Sequence, residues 1–405
     1  MTDSTEILFN PLDPAFRANP YPAYRRLRET APMWRSPIGA YVATRHADIV
    51  AILRDRRMGQ DFEGRIRRGL DPDRLKSRAV QSLGQTMLVR DPPDHTRLRG
   101  LVARAFTARR MEEMRPRIRQ IVHDLIDAVE PRGEMDVVRD LAHKLPVIVI
   151  CDMLGIPEED RAQFLERSRV SGRLVDPTPM TQDELDQADA NNVELEAYFT
   201  GLFALRRREP GDDLTSALVH ARDEEGALSD AELLWNTNLL FAAGHETTAN
   251  LIGNGLLTLH RFPDQLARLK AEPALMANAV EEILRFESSV QLTARTAFEE
   301  MEVGGVTLKK DDTVICLLAA ANRDPEAFPE PDPETFDVAR PNVRALSFGG
   351  GIHHCLGAQL ARIEGEEAFA ALLARLPDLR LEGAETPSWR PTFTLRGLTT
   401  LKARW

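Results

Sequence analysis

The sequence predicts a mainly helical fold with a minor share of sheet. Three observations carry that expectation. Apolar residues recur at i, i+3 and i+4 through much of the stretch from Arg97 to Phe286. One helical run, opened at Ser229, is long enough to cross a whole domain. Strand-like patterns and a Gly-Gly turn are concentrated after Phe286.

Taken in order, the proline-rich stretch Asn10 to Tyr24 reads as ordered extended coil. Tyr41 to Thr44 reads as a strand end and Ala47 to Arg54 as a helix. Gly59 to Gly84 is polar and weakly periodic, which suits a loop with short helical pieces. Arg97 to Phe106, Met111 to Val129 and Leu141 to Leu154 are helical by periodicity. Pro157 with three following acids opens another helix. Leu195 to Arg208 is helical up to the Pro210-Gly211 break. Ser229 and Glu232 form a capping box that opens a helix running to about His260. At a rise of ~1.5 Å per residue that helix is about 48 Å long. Ala274 to Phe286 is the next helix. Two short strands flank Gly304-Gly305, and Thr313 to Leu318 is a third. Asn322 to Asn342 is rich in Pro and Asp and has no period. Leu356 to Leu376 is a helix, and short strand-like pieces run on to Trp405.

The 405 residues are 43% hydrophobic and 28% charged, which supplies a large core and excludes a disordered chain. A net charge of −11 argues against nucleic acid as a partner. Three cysteines, Cys151, Cys316 and Cys355, exclude a disulfide framework and suit a reducing compartment. Met1 to Asn10 is short and carries acids, so no secretory signal is expected. The most apolar stretch, Leu233 to Leu259, is interrupted by Asn236, Asn238, His245, Glu246 and Asn250, so no membrane anchor is expected. No repeat or long linker divides the chain. A cytoplasmic, monomeric, enzyme-sized protein is the expectation.

The strongest chemical signal is Phe348-Gly349-Gly350-Gly351-Ile352-His353-His354-Cys355-Leu356-Gly357. Glycines allow close backbone approach to a bulky group. A cysteine at a helix N-terminus has its thiolate favoured by the dipole and by unpaired N–H groups. A lone cysteine beside a glycine turn usually just packs; the glycine spacing, Phe348 and the following helix favour a thiolate held for a metal. A zinc site from His353, His354 and Cys355 is weaker, because consecutive side chains diverge. A Cys–His nucleophile lacks a third, orienting residue.

Three further constellations stand out. Ala243-Gly244-His245-Glu246-Thr247-Thr248 places an acid and hydroxyls inside an apolar helix, which is costly unless paired or used. That arrangement suits proton delivery, or else a polar seam between helices. Glu282 and Arg285 share a helix face and can pair, as can Glu112 with Arg115. His95 and Arg99 also share a face, suited to gripping carboxylates or simply solvated.

In this order, the motifs resemble the cytochrome P-450 family of haem-thiolate monooxygenases. The resemblance spans about Asn10 to Leu401. Phe348-Gly349-x-Gly351-x-His353-x-Cys355-x-Gly357 is similar to the family's haem-binding signature. Ala243-Gly244-x-Glu246-Thr247-Thr248 resembles its oxygen-activation groove, Glu282-x-x-Arg285 its buried helix pair, and Ala320 to Pro325 with Phe336, Asp337 and Arg340 its meander. The resemblance implies one domain over residues 1–405, a triangular helical prism around a long central helix with small sheets.

It also implies roles and partners. Cys355 is the expected ligand to the iron of haem b (iron protoporphyrin IX), in a loop that includes Phe348 and Gly349. His95, Arg99, Arg295 and His353 are expected at the propionates. Thr247 is expected to hydrogen-bond dioxygen, with Glu246 feeding protons. Glu282, Arg285 and Arg340 are expected to be structural. The acid–threonine pair favours dioxygen over peroxide, and so insertion of one oxygen atom into a substrate. A haem-thiolate protein that binds or rearranges a ligand without monooxygenation is the alternative. Pocket-lining stretches are expected at Gln81–Arg90, Arg167–Val175, Leu239–Ala243, Ser289–Thr293 and Phe393–Leu395. Leu239, Ala243, Val290 and Leu292 suit a lipophilic substrate, with Thr394 nearby. Between Arg97 and Arg119 stand eight Arg and two Glu, a local +6. Arg104, Arg109 and Arg110, with Arg344 and Arg362, are therefore the expected docking patch for an acidic ferredoxin-type electron donor.

Overall fold

A computed structural model describes residues 9–69, 71–167, 171–176, 178–223 and 226–405. Helices dominate and the sheets are small. Contacts divide the chain into two compact units. One comprises Met1–Gln60, Asn250–Cys355 and Leu372–Trp405, and the other Asp61–Ala249 and Leu356–Ala371.

The first unit is built on a five-stranded sheet. Met33–Arg35 runs antiparallel to Tyr41–Ala43, which pairs parallel with Thr313–Cys316 in the register Val314 opposite Tyr41. Thr313–Cys316 is antiparallel to Thr293–Ala297, and Met58–Gly59 closes the far edge. Ala43, Ile49, Ile52, Val314 and Cys316 bury one side of it. The hairpin Met301–Val303 and Val306–Leu308 turns at Gly304-Gly305 as expected.

The proline-rich N-terminus is not extended coil. It holds the helices Pro14–Ala18 and Tyr21–Thr30. Prolines occupy first-turn positions in both, where no N–H bond is lost, and Asp13 caps the first by accepting from the Ala15 N–H. Tyr21–Thr30 then buries Tyr24 and Leu27 against Phe16, Val42 and Phe393. A proline count read as coil misses this, because proline position matters more than number.

Glu282, Arg285 and Arg340 are almost wholly buried, at 0%, 0% and 1% exposure. Glu282 accepts Arg285 Nε and Nη2, both at 2.7 Å, and Arg340 Nε and the Asp337 N–H, both at 3.1 Å. Arg285 spends its remaining donors on the carbonyls of Asn322, Pro333 and Thr335. Arg340 donates to the carbonyls of Pro331, Asp332 and Thr335. This explains how the aperiodic stretch Asn322 to Asn342 is ordered: its carbonyls are satisfied by guanidinium groups instead of a ladder. Burial pulls the Arg285 pKa down, and Glu282 opposes that pull.

The second unit is helical. Its N-terminal part is three short pieces, Phe62–Arg68, Pro72–Lys76 and Arg78–Gly84. Asp94–Ala105 starts earlier than its apolar period suggests. The single helix expected over Met111–Val129 is two, Ala108–Glu113 and Arg115–Asp127, because Pro116 starts a new first turn. Val138–Ala142 is a wide turn before Lys144–Leu154. The three acids after Pro157 form a tight turn leading into Arg161–Arg167. Gln182–Arg208 begins well before Leu195, through a capping box between Thr181 and Glu184 in a polar segment that periodicity overlooks. The predicted capping box at Ser229 is present: Glu232 N–H donates to Ser229 Oγ at 3.2 Å and Ser229 N–H to Glu232 Oε2 at 2.9 Å. The long helix runs Asp230–Arg261. No helix among the described residues is long and apolar enough to cross a membrane.

Arg285→Ala is expected to cost about 3–5 kcal/mol, because it leaves the Glu282 carboxylate buried with half its partners gone. Arg340→Ala leaves the bidentate Arg285–Glu282 pair intact and should cost less. Denaturant midpoints of the two variants measure the difference, and equal losses would refute this ranking.

Candidate functional site

In the first unit, the loop around Cys355 is tightly wound. The Cys355 N–H donates to the Phe348 carbonyl at 2.9 Å and the Gly349 N–H to Leu346 at 2.8 Å. Gly349 and Gly351 sit at φ +71° and +64°, in the left-handed region. At Gly351 a Cβ would also lie 1.9 Å from the Leu53 carbonyl oxygen, so no larger residue fits. The loop leads through Leu356 and Gly357 into the helix Ala358–Arg375. Cys355 is exposed, whereas Cys151 and Cys316 are buried. Burial pushes the Cys151 thiol up to about 12, so it is protonated and inert. Cys316 packs in the sheet core.

A chain of hydrogen bonds ties this loop to the buried Glu282–Arg285 pair. Arg285 Nη1 donates to the Asn322 carbonyl at 2.9 Å. The Asn322 side chain accepts the Leu346 N–H at 2.6 Å and donates to Ser347 Oγ at 2.9 Å and Ser288 Oγ at 2.8 Å. Ser347 Oγ donates to the Leu284 carbonyl at 2.5 Å. Sequence reasoning placed Asn322 in the meander motif without giving it a role, and missed Ser288 and Ser347, which nothing in their local patterns marks.

Arg295 is buried in the strand Thr293–Ala297 and donates to Thr293 Oγ1 and the Ala294 carbonyl. His353 is half-buried on the loop. Two predicted pocket stretches do meet: the Gln291 N–H donates to the Thr394 carbonyl at 2.9 Å, and Val290 bridges to Leu395. Leu292, by contrast, packs into the core with Phe16, Tyr24, Leu317 and Phe393, so its place is explained by packing.

In the second unit, the long helix carries the acid and the threonine. Glu246 is buried at 4% exposure. Thr247 Oγ1 donates back to the Ala243 carbonyl at 3.0 Å. Leu239, Ala243 and Thr247 share one face at four-residue spacing. Ala243 is exposed and Thr247 half-buried, whereas Leu239 is buried, so this face is open only at Ala243 and Thr247. His95 is buried and Arg99 half-buried on Asp94–Ala105. That helix is pinned to the long one by an ion pair between Arg97 and Glu232. The Gln81–Arg90 stretch is pinned to it through Asn236, whose Oδ1 accepts the Met87 N–H at 3.0 Å. Asn236, a buried asparagine in an apolar helix, is the kind of signal that can be read from sequence. Of the Arg167–Val175 stretch, residues 168–170 lie outside the described residues.

The basic stretch is less cationic than its +6 suggests, because Asp152, Asp212, Glu366 and Glu367 from outside it pair with its arginines. Arg109 pairs with Glu113 at 2.8 Å and Arg110 with Asp212 at 3.1 Å. Arg115 pairs with Glu112, Glu366 and Glu367, Arg117 with Asp152, and Arg119 with Glu367. Arg104 and Arg344 are exposed and Arg362 half-buried.

The donor set indicates what Cys355 can hold. Among the described residues no three His, Cys, Asp or Glu side chains converge as metal ligands. A metal at Cys355 therefore takes one soft ligand from the protein, and a group that brings its own remaining ligands fits. The zinc reading of His353, His354 and Cys355 has no support in this geometry.

The family model "Cytochrome P450" matches residues 18–377. The "Cytochrome P450 monooxygenase PikC" of Streptomyces venezuelae is 42% identical over 96% of this chain and 92% of its own length. The "Vitamin D(3) 25-hydroxylase" of Pseudonocardia autotrophica is 41% identical over 95% and 93%. The crystal structure of myxobacterial CYP267B1 in complex with myristic acid superposes with a TM-score of 0.87 at 41% identity, covering 97% of this chain and 98% of that one. The match spans the cysteine loop, the long helix and the buried Glu–Arg pair alike, and the chain belongs to the cytochrome P450 family of haem monooxygenases.

Proposed function

We propose that the protein holds haem b through Cys355 and inserts one oxygen atom from dioxygen into a lipophilic small molecule, drawing electrons from a ferredoxin and its reductase in the cytoplasm. The observation that carries this is the exposed Cys355 sulfur in a glycine loop too tight for any side chain at position 351. When bound, the haem supplies the reductive activation of dioxygen and the transfer of one oxygen atom.

The chain's own residues do the rest. Cys355 would give its sulfur as thiolate, with the helix Ala358–Arg375 placing its positive end nearby. His95, Arg99, Arg295 and His353 would hold the propionates as donors. Thr247 Oγ1 keeps its proton on the Ala243 carbonyl and can turn it toward the open side. Glu246, next in sequence and buried, would resupply that proton from the interior. Together they would deliver protons while the apolar helix face keeps bulk water out. An intact acid–threonine pair favours this over ligand rearrangement without monooxygenation.

Leu239, Ala243, Val290 and Thr394 would face the substrate. An apolar substrate agrees with the names of two relatives, since vitamin D(3) and myristic acid are both lipophilic. Arg104, Arg109, Arg110, Arg344 and Arg362 would dock the donor, although the internal pairs of Arg109 and Arg110 reduce the field they project.

The reduced, carbon monoxide-treated protein is expected to show the strongly red-shifted Soret band of thiolate ligation, and Cys355→Ala to lose it. A Cys355→Ala variant that keeps that band refutes the assignment. In Thr247→Ala, product per NADH consumed is expected to fall on the order of 10–100-fold, with peroxide released instead; unchanged coupling removes Thr247 from proton delivery. Charge reversal of Arg109 and Arg110 together should raise the KM for the ferredoxin several-fold without altering substrate affinity. An unchanged KM places the docking surface elsewhere.

A further inference from the structure

Within the first unit, the turn Thr394–Gly397 is gripped from two sides. The Arg396 N–H donates to the Ser289 carbonyl at 2.8 Å, and Thr394 accepts the Gln291 N–H at 2.9 Å. From the long helix, Asn254 Nδ2 donates to the Arg396 carbonyl at 2.9 Å. One helical turn earlier, Asn250 lies so close to Gly397 that a Cβ there would meet its Oδ1 at 1.8 Å. The φ of Gly397 is not in the left-handed region, so glycine is required here for space.

The asparagines are not there to saturate hydrogen bonds. Asn250 and Asn254 are 3% and 0% exposed. Asn250 Nδ2 and Asn254 Oδ1 have no hydrogen-bond partner among the described residues, and neither does the buried Ser289 Oγ on the other side of the turn. Half-satisfied buried amides are costly, and apolar side chains of similar size would avoid the cost. What the two amides supply is position. Thr247, Asn250 and Asn254 stand at i, i+3 and i+7, on one face of the helix. This stretch of the helix therefore determines where the Thr394 turn stands.

We propose that Asn250, Asn254 and Gly397 act as a specificity clasp. As positioning residues, they set how far the Thr394 turn advances into the substrate pocket, and so how much bulk the pocket admits beside the haem. This rests on the haem-monooxygenase reading above.

The test compares two haem ligands of different size by Soret titration of the haem-loaded protein: imidazole, which needs space only at the metal, and 4-phenylimidazole, which projects a ring into the pocket. In Gly397→Ala the Kd for 4-phenylimidazole is expected to rise roughly ten-fold while that for imidazole changes by less than about two-fold. Adding Asn250→Ala makes room for the new methyl and should restore the loss, a coupling that only neighbours show. Asn254→Asp, which keeps the volume but removes the donor, covers the case in which Gly397→Ala does not fold, and should shift the same ratio. Equal changes for both ligands, or no rescue by Asn250→Ala, overturn the clasp. A wild type that binds imidazole but excludes 4-phenylimidazole also overturns it. A wild type with no Soret band at all takes down the haem reading instead.

Discussion

Glu282 accepts four hydrogen bonds in a site without solvent, and the order of the first unit depends on them. The carboxylate alone could not be buried there, and neither could either arginine. Two guanidinium groups against one carboxylate leave an excess positive charge. That excess is spread over the carbonyls of Pro331, Asp332, Pro333 and Thr335, which belong to a stretch with no ladder of its own. The arginines thus do for an irregular segment what a neighbouring strand does for a sheet edge. Arg285 also donates to Asn322, whose side chain grips Leu346 and Ser347. Phe348 follows directly and accepts the Cys355 N–H. The Cys355 loop is therefore tied, bond by bond, to a buried charge cluster distant from it in sequence.

The long helix answers a different constraint. Several of the polar side chains it buries are spent on position: Asn236 and Glu232 pin neighbouring segments, and Asn254 holds the Arg396 carbonyl. Thr247 bonds back to its own helix. Its face, with Ala243, is the one left open. Small residues there leave room that leucines would have filled.

Local chemistry explains how much was legible beforehand. The capping box at Ser229, the Gly304-Gly305 hairpin and the Glu282–Arg285 spacing are contained within a few residues, and each appears as expected. The N-terminal helices did not, because proline was weighed by number instead of by its place in the first turn. Gln182–Arg208 was read short, since its opening turns are polar and are ordered by a cap and not by an apolar stripe. The basic stretch after Arg97 was overstated: its acidic partners, Asp152, Asp212, Glu366 and Glu367, are distant in sequence.

By itself, then, the sequence determined the fold class and the family, and it singled out the cysteine proposed to hold the haem. All three rest on residue types at short fixed spacings, which local backbone geometry reads directly. Tertiary structure alone decided that Asn322 and Ser347 anchor the cysteine loop, that Leu292 is core, and that Asn250 and Asn254 meet the turn at Gly397. Those contacts join residues that the chain separates widely. Whether an asparagine meets a carbonyl, a glycine or solvent depends on which segment packs against it, and no local pattern encodes that.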